Sequence, residues 1–566
     1  MAEKKLTRRT FIAGAAVAGA GIAGTAFLAG CTSGSTNDTS GGTSGGTSGG
    51  TASNSKAGGT FLYYINEPTF IDPYNLQESE GTQVSANLFD SLLEYDYRTQ
   101  TLNPAASADY DVSPDATVFT FTLQDGATFH NGDPVDAASF KRGWERLCNP
   151  NISATPSEIS YHLAAIQGYK EMFEDQTATE LSGVKVIDDQ TLEVTLSYAY
   201  ADFPYVISHP ALGPVPQVAL DDINAFSASP IGNGPFMMDG SWVHDQYIRV
   251  KRFEDYYGDV GLVDGCDFNI ISEVNTAFTE FQAGNLDFVQ IPSGQIEATV
   301  AQYGEAPDGY TAQPGTQTLL GPESSTYYLV VNNTDPVLSN QKLREAISYA
   351  INRQAICDTI FQGTREPASG LIPPGIKGFR DGAWTTSVYD IDKAKQTLAD
   401  AGYPNGEGLA PIKLSFNTGG DHGNIMQMVQ ADLSAIGIQA NLDSMEWGAY
   451  LDAMAAGSIQ IGRLGWVADY PIMENFLYSL FYTGNGDNYS KYTNPDVDSQ
   501  IMAARGIIDD AARIKAFQDV DDIVQSTTPI IPLMFYKHNR VCSNRVNDFY
   551  FAPNMVADLA AAWLTQ

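Results

Sequence analysis

The sequence predicts an α/β protein, and three stretches carry that expectation. Val118 to Gln124 alternates, with Phe119, Phe121 and Leu123 on one side, as a half-buried strand does. Gln341 to Phe361 switches to a helical period that puts Leu343, Ala346, Ile347, Ala350 and Ile351 on one face. From Ile412 onward the order is strand, helix, strand, with a crossover of about 20 residues, which is the signature of a parallel pair.

The remaining elements follow from the same signals. Val184 and Val186, a turn at Asp188-Asp189, then Leu192, Val194 and Leu196 read as a hairpin. The helix over 341–361 takes Ser339 as its N-cap and Gly363 as its stop. A second helix runs from Ile391 to Ala401 and closes on Gly402 and Pro404. Ile412, Leu414 and Phe416 form a strand, a helix runs to Ile436, and Ile438, Ala440 and Leu442 form the next strand. Nothing repeats at a period of 20–50 residues, which excludes solenoids and propellers.

The chain has 566 residues, with 43% hydrophobic and 17% charged side chains, so it can bury large cores and is not globally disordered. Its net charge of −36 argues against nucleic acid, whose phosphates need a basic surface. Five cysteines in such a length make no disulfide scaffold. Cys148, Cys266, Cys357 and Cys542 are widely spread, and spacing leaves open whether they pair or stay as buried thiols.

The first thirty residues read as an export signal. Lys4, Lys5, Arg8 and Arg9 precede an apolar stretch from Phe11 to Leu28, and Leu28-Ala29-Gly30-Cys31 places small residues before a cysteine. Ala and Gly dominate, and no basic cluster follows, which argues against a membrane-spanning helix. The pattern resembles a bacterial lipobox, implying cleavage before Cys31 and lipid on that residue. Thr7-Arg8-Arg9-Thr10-Phe11-Ile12 also resembles a twin-arginine signal. Without residues 1–30 the chain keeps 27 basic and 66 acidic residues, a charge of −39. Thr32 to Gly59 is Ser, Thr, Gly and Asn with almost nothing to bury. Residues 31–59 therefore read as a flexible tether, whose coil reaches about 30 Å.

Catalytic and metal motifs are missing. No Gly-x-Ser-x-Gly elbow, Walker loop, His-Glu-x-x-His or Cys-x-x-Cys is present, and the six histidines show no ligand spacing. Gly232-Asn233-Gly234 reads as a turn, and Asp496 with Asp498 lacks the rest of a calcium loop. Neither an enzyme nor a cofactor is expected.

Five segments in order resemble one family. They are Glu67 to Pro73, Phe129 to Ala137, Pro230 to Phe236, Lys342 to Arg353 after Asn332, and Pro373-Pro374-Gly375. From about Thr60 to Gln566 the chain resembles the family 5 solute-binding proteins of oligopeptide and dipeptide importers. The resemblance implies a two-lobed, periplasmic-binding-protein-like fold. Its first lobe is expected from residues 60–90, 216–318 and 529–566, with an inserted subdomain at 91–215 and the second lobe at 319–528. It also implies a monomer on the outer face of the cytoplasmic membrane, held by lipid on Cys31, that passes peptide to the permease subunits of an ABC transporter.

One segment speaks about ligand. Glu446 to Leu451, with Trp447, and then Arg463-Leu464-Gly465-Trp466-Val467-Ala468-Asp469-Tyr470-Pro471 resemble the peptide-contacting stretch of the family. The resemblance gives Asp469 the peptide α-amino group, which suits a cation desolvated in a closed cleft. It has Gly465 and Val467 pair with the peptide backbone as a strand partner. Trp447 and Trp466 would shape side-chain pockets, though core packing is an equal alternative for each. Arg463 aligns with a residue that reaches the peptide carboxylate. Where relatives carry a cysteine this chain has Val467, so no disulfide forms there. On the other side of the cleft, Glu80-Gly81-Thr82 and Tyr161 stand either as peptide contacts or as surface loop. Other solutes of the family (metal chelates, haem, oligosaccharides) and a surface chaperone or adhesin remain as alternatives.

Overall fold

A computed structural model describes residues 58–76, 78–153, 156–292, 294–418 and 421–565. The export signal, Cys31 and nearly all of the tether lie outside the described residues. Among the described residues no helix is long and apolar enough to cross a membrane.

The architecture is α/β and two-lobed, with each lobe built on its own sheet. The first sheet has seven strands in the order Thr318–Leu319, Arg540–Cys542, Phe288–Gln290, Thr60–Ile65, Gly265–Ile270, Tyr247–Arg252 and Phe236–Met238. Thr60–Ile65 lies near its centre and runs parallel to Gly265–Ile270, from Thr60 opposite Gly265 to Ile65 opposite Ile270. Phe61 and Tyr63 enter one core with Phe268, Phe288 and Phe549, while Tyr64 enters another with Phe278 and Phe281. A strand covered on both faces needs apolar groups at successive positions, and Thr-Phe-Leu-Tyr-Tyr-Ile supplies them.

The second sheet has six strands in the order Arg365–Pro367, Ile530–Lys537, Pro322–Val331, Ile461–Val467, Ile412–Asn417 and Ala440–Met445. Ile412–Asn417 and Ala440–Met445 are parallel and joined by the helix His422–Ala435, as the strand–helix–strand pattern predicts. The central strand divides its side chains between two cores. Tyr327, Leu329 and Val331 go to one and Tyr328 and Val330 to the other.

An antiparallel sheet of Ser107–Val112, Val118–Leu123, Thr191–Thr195 and Val184–Asp188 forms a third unit with its own core. Phe119, Phe121 and Leu123 face inward as their alternation requires. The helix Ala137–Cys148 covers this sheet and starts at a reciprocal cap between Asp136 and Ser139.

Two adjacent segments connect the sheets. Leu319 to Pro322 crosses from the first sheet to the second, and Lys537 to Arg540 crosses back. They run side by side, with Pro322 paired to Lys537 and the His538 amide donating to the Gly321 carbonyl at 2.8 Å. Paired connections of this kind allow hinge motion between lobes.

Two expectations need correction. The expected map has the returning segment in the first lobe from residue 529, which would put Phe61 and Phe535 together. Instead Ile530–Lys537 pairs along Pro322–Val331 in the second sheet, and the chain re-enters the first only at Arg540. The strand Ile-Ile-Pro-Leu-Met-Phe-Tyr-Lys is apolar on both faces, so either sheet would accept it on pattern alone. The single helix over 341–361 is two helices, Gln341–Ala350 and Arg353–Phe361. Their caps are Asn340, rather than Ser339, and Asn352, whose side chain accepts the Ala355 amide at 3.1 Å. The buried Arg353 guanidinium bonds to the Ser348 and Pro532 carbonyls and holds the break.

The four cysteines among the described residues are free and buried, and burial holds their thiols above the usual range. Gly232 and Gly234 pass so close to the backbone of Leu88 that a side chain at either would overlap it. His130 of the third unit locks this approach. Its amide donates to the Gly232 carbonyl at 2.9 Å, and its Nδ1 accepts the Gly232 amide at 3.1 Å. Nε2 therefore carries the proton and donates to the Gly234 carbonyl at 3.0 Å. Burial pushes this imidazole down from 6.5 to about 4. The unfolded state then binds more protons than the folded one between those values, so this contribution is complete above about pH 6.5 and is lost as pH falls towards 4. His130→Ala should cost about 1–3 kcal/mol at pH 7.5 and flatten the acid side of a stability profile. Urea denaturation at pH 7.5, 6 and 5 checks both effects, and an unchanged acid slope would contradict them.

Candidate functional site

The carboxyl ends of the parallel strands in the second sheet point to one place, as ligand sites of α/β sheets do. Asn417 ends one strand, Met445 leads into Trp447 at the start of the next helix, and Val467 leads to Asp469.

Ile461–Val467 is paired unevenly. On one side it runs antiparallel to the central strand, from Ile461 opposite Val331 to Val467 opposite Ser325. On the other side pairing stops at Gly462 opposite Ser415. Gly465 and Val467 lie on the unmatched stretch and are half-buried. A side chain at Gly465 would press on the Tyr536 hydroxyl.

Arg463 is buried on this strand. Its Nη2 donates to the Asn417 side-chain oxygen, and its guanidinium lies 5.4 Å from the Trp447 ring and 5.8 Å from the Tyr327 ring. No carboxylate among the described residues comes within ion-pair distance of it, and its Nε has no hydrogen-bond partner. The buried Nε1 of Trp447 also lacks a partner among the described residues. His422 faces Tyr327, with its Nδ1 3.3 Å from the phenol oxygen. Burial and the Arg463 charge push that imidazole down to about 3, so it is neutral. A buried cation and an unused N–H donor in one place suit an anionic group such as a carboxylate.

Trp466 alternates to the opposite face. It is packed in the core with Tyr328, Tyr450 and Phe476, and its Nε1 donates to Asn475 Oδ1 at 2.9 Å. Asp469, two residues beyond the strand, is half-buried. Its amide donates to Asn475 Oδ1 at 3.1 Å, and its Oδ2 accepts from Asn475 Nδ2 at 3.0 Å. Asp469 thus sits in the turn that leads into the helix Met473–Phe481, which begins without a side-chain cap.

Residues of the inserted unit meet the second lobe here. Burial pushes the His209 imidazole down to about 4, and the Asp469 charge opposes that shift. His162 stacks on His209 with ring centroids 4.9 Å apart, and Tyr161 lies against His162 at 4.3 Å. The Tyr200 hydroxyl donates to Glu474 at 3.0 Å and lies 3.2 Å from the Tyr470 hydroxyl. Glu474 pairs with Arg505 at 2.8 Å, and Asp202 with Arg513 at 2.6 Å. Tyr161 thus joins the ring cluster of His162 and His209.

Glu80, Gly81 and Thr82 have local roles in the first turn of the helix Ser79–Leu88. Glu80 accepts from Asn66 and Ser79, each at 3.1 Å, and Thr82 donates to the Glu78 carbonyl at 3.0 Å. Gly81 is a glycine because a side chain would overlap the Phe70 carbonyl. Glu78 caps this helix, and burial, with Glu80 beside it, pushes its carboxyl up to about 8. Sequence reasoning missed Asn475, His422 and His209, none of which carries a motif.

A family model described as bacterial extracellular solute-binding proteins, family 5 Middle, matches residues 101–488. The chain belongs to this family. It is 28% identical over 481 residues to the oligopeptide-binding protein OppA of Bacillus subtilis (strain 168), covering 83% of this chain and 86% of that protein. It is also 28% identical over 523 residues to the dipeptide-binding protein DppE of the same organism, covering 89% and 92%. Haemophilus influenzae OppA, solved in complex with RPPGFSPFR, superposes with a TM-score of 0.69 at 23% identity over 90% of this chain and 99% of that one. As a family 5 protein the chain is a solute-binding protein and not an enzyme. Family 5 members act outside the cytoplasm. Among the described residues no group of three or more His, Cys, Asp and Glu is placed to hold a metal.

Proposed function

We propose that this protein is the lipid-anchored binding component of an ABC importer that captures peptides between its lobes and delivers them to a permease. The observation that carries the reading is the strand Ile461–Val467. It offers an unmatched backbone edge, a buried cation without a carboxylate partner at Arg463, and a fixed carboxylate just past its end at Asp469. An extended peptide antiparallel to this strand would present its ammonium to Asp469 and its carboxylate towards Arg463 and Trp447. Main-chain pairing along Gly465 and Val467 gives affinity without regard to side chains. Tyr161 would close over the amino end. The core position of Trp466 makes it a wall of that site, and Glu80 to Thr82 would act through the shape of their helix. Relatives that bind oligopeptides and dipeptides, and a similar fold holding a nine-residue peptide, support the reading.

In this reading the first lobe comprises residues 60–90, 216–318 and 538–565, the inserted subdomain 91–215 and the second lobe 319–537. The protein works as a monomer, and ligand favours the closed arrangement that the permease receives. Native mass spectrometry of the purified protein tests this. Co-purified ligands should be peptides with amino termini open to acylation once released; sugars, haem or metal chelates would overturn the assignment.

The tether and Cys31 complete the proposal. Cys31→Ala should release the protein from membranes, as fractionation would read. A variant that stayed membrane-bound and uncleaved would make the apolar segment a spanning anchor.

A further inference from the structure

We infer that Asn475 is the positioning residue of the amine site, holding the Asp469 carboxylate in its binding orientation without cancelling its charge. The inference rests on the reading of Asp469 given above. Asn475 is 1% exposed and stands in the first turn of the helix Met473–Phe481. One amide side chain makes three hydrogen bonds there. Its Oδ1 accepts from Trp466 Nε1 at 2.9 Å and from the Asp469 amide at 3.1 Å, and its Nδ2 donates to Asp469 Oδ2 at 3.0 Å. The orientation of the amide is fixed by its partners. Reversed, its NH2 would face two N–H donors and its oxygen a carboxylate, so all three bonds would fail.

The consequence is geometric and electrostatic. Asp469 follows the end of the strand Ile461–Val467 and lies outside any helix or strand. Bonding both its amide and one carboxylate oxygen to a single buried group fixes the turn and the rotamer together. A neutral donor does this at no loss of negative charge, whereas a lysine or arginine in its place would compete with the ligand ammonium. The bond to Trp466 ties the carboxylate to a side chain packed in the core of the second lobe.

The test compares the tightest binder of a tri- to penta-alanine series with its Nα-acetyl form, by titration calorimetry at pH 7.5 and 5. Asn475→Ala should weaken the free-amine peptide about tenfold, the scale of a hydrogen bond to a charged group. The acetylated peptide should change by less than about twofold. Asn475→Asp keeps the acceptor for Trp466 and for the Asp469 amide but sets a second carboxyl against Asp469. Its loss should equal or exceed that of Asn475→Ala at pH 7.5 and shrink at pH 5, where a shared proton restores the donor. The parent has no such recovery.

Asp469→Ala run in parallel separates the two claims. If it abolishes the preference for free amine while both Asn475 variants keep the parent ratio, positioning by Asn475 is overturned and the amine site stands. Equal losses for free and acetylated peptide in Asn475→Ala, with no pH recovery in Asn475→Asp, would likewise reduce Asn475 to a packing residue. If Asp469→Ala keeps the preference, or no peptide of the series binds, the reading beneath falls and this inference with it. Should Asn475→Ala fail to fold, the pH recovery of Asn475→Asp decides alone.

Discussion

Asp72→Ala should cost about 3–5 kcal/mol of stability, the usual penalty for stranding one member of a buried ion pair. Asp72 is at the end of the Glu67-Pro68-Thr69-Phe70-Ile71-Asp72-Pro73 segment and is 1% exposed. Both its oxygens accept from Arg146, Nη1 and Nη2 each at 2.6 Å. Ser227 Oγ adds a bond at 2.6 Å and the Tyr74 amide one at 3.0 Å. Arg146 is equally buried, with its guanidinium 5.2 Å from the Tyr74 ring and 5.3 Å from that of Phe226. Arg146 belongs to the inserted unit, whereas Asp72 and Ser227 belong to segments flanking it in sequence. The bidentate pair is thus a fastening between that unit and the first lobe, and its loss should split urea denaturation into two transitions. Asp72→Leu combined with Arg146→Met should cost much less than either single change, because no charge is left buried. A loss under about 1 kcal/mol in Asp72→Ala would show that water reaches the guanidinium.

Asp469→Ala should weaken every peptide by at least tenfold, whatever its side chains. Deleting one partner of a desolvated charge pair costs about 2–5 kcal/mol, and the ammonium is the one feature all free peptides share. The pH response gives the sign. A peptide α-amino group titrates near 8, so affinity in the parent should fall as pH rises through that value, and in the variant it should stay flat. Losses that vary from peptide to peptide would instead place a side-chain pocket at Asp469.

The sequence was most legible where one side-chain pattern admits one structure. Alternation at Phe119, Phe121 and Leu123 leaves a single face to bury, and the parallel pair around His422–Ala435 is dictated by its crossover. Legibility failed where the pattern is degenerate. Ile530–Lys537 is apolar on both faces and fits either sheet, so its placement is decided by partners more than two hundred residues away in Pro322–Val331. The break at Ile351-Asn352 was hidden because both halves keep a helical stripe, and the deciding bonds of Arg353 reach the distant Pro532 carbonyl.

The site shows the same division. Arg463 comes together with Asn417 and Trp447 because strand order sets them side by side, and Asp469 follows two residues past the end of the strand that carries Arg463. Alternation within Ile461–Val467 is also why Trp466 turns to the core instead of standing beside Arg463. Asn475 carries no motif of its own. Its importance lies in three bonds that exist only after the chain has turned back, and six residues of spacing do not reveal them.

The most direct measurement is a two-by-two calorimetric cycle of parent and Asp469→Ala against a free peptide and its Nα-acetyl form. Both changes delete the same contact, so each alone should cost tenfold or more and the two together little beyond either one. Additive losses, or acetylated peptide binding the parent as tightly as free peptide, would contradict Asp469 as the amine site and with it the capture of peptides by their amino ends.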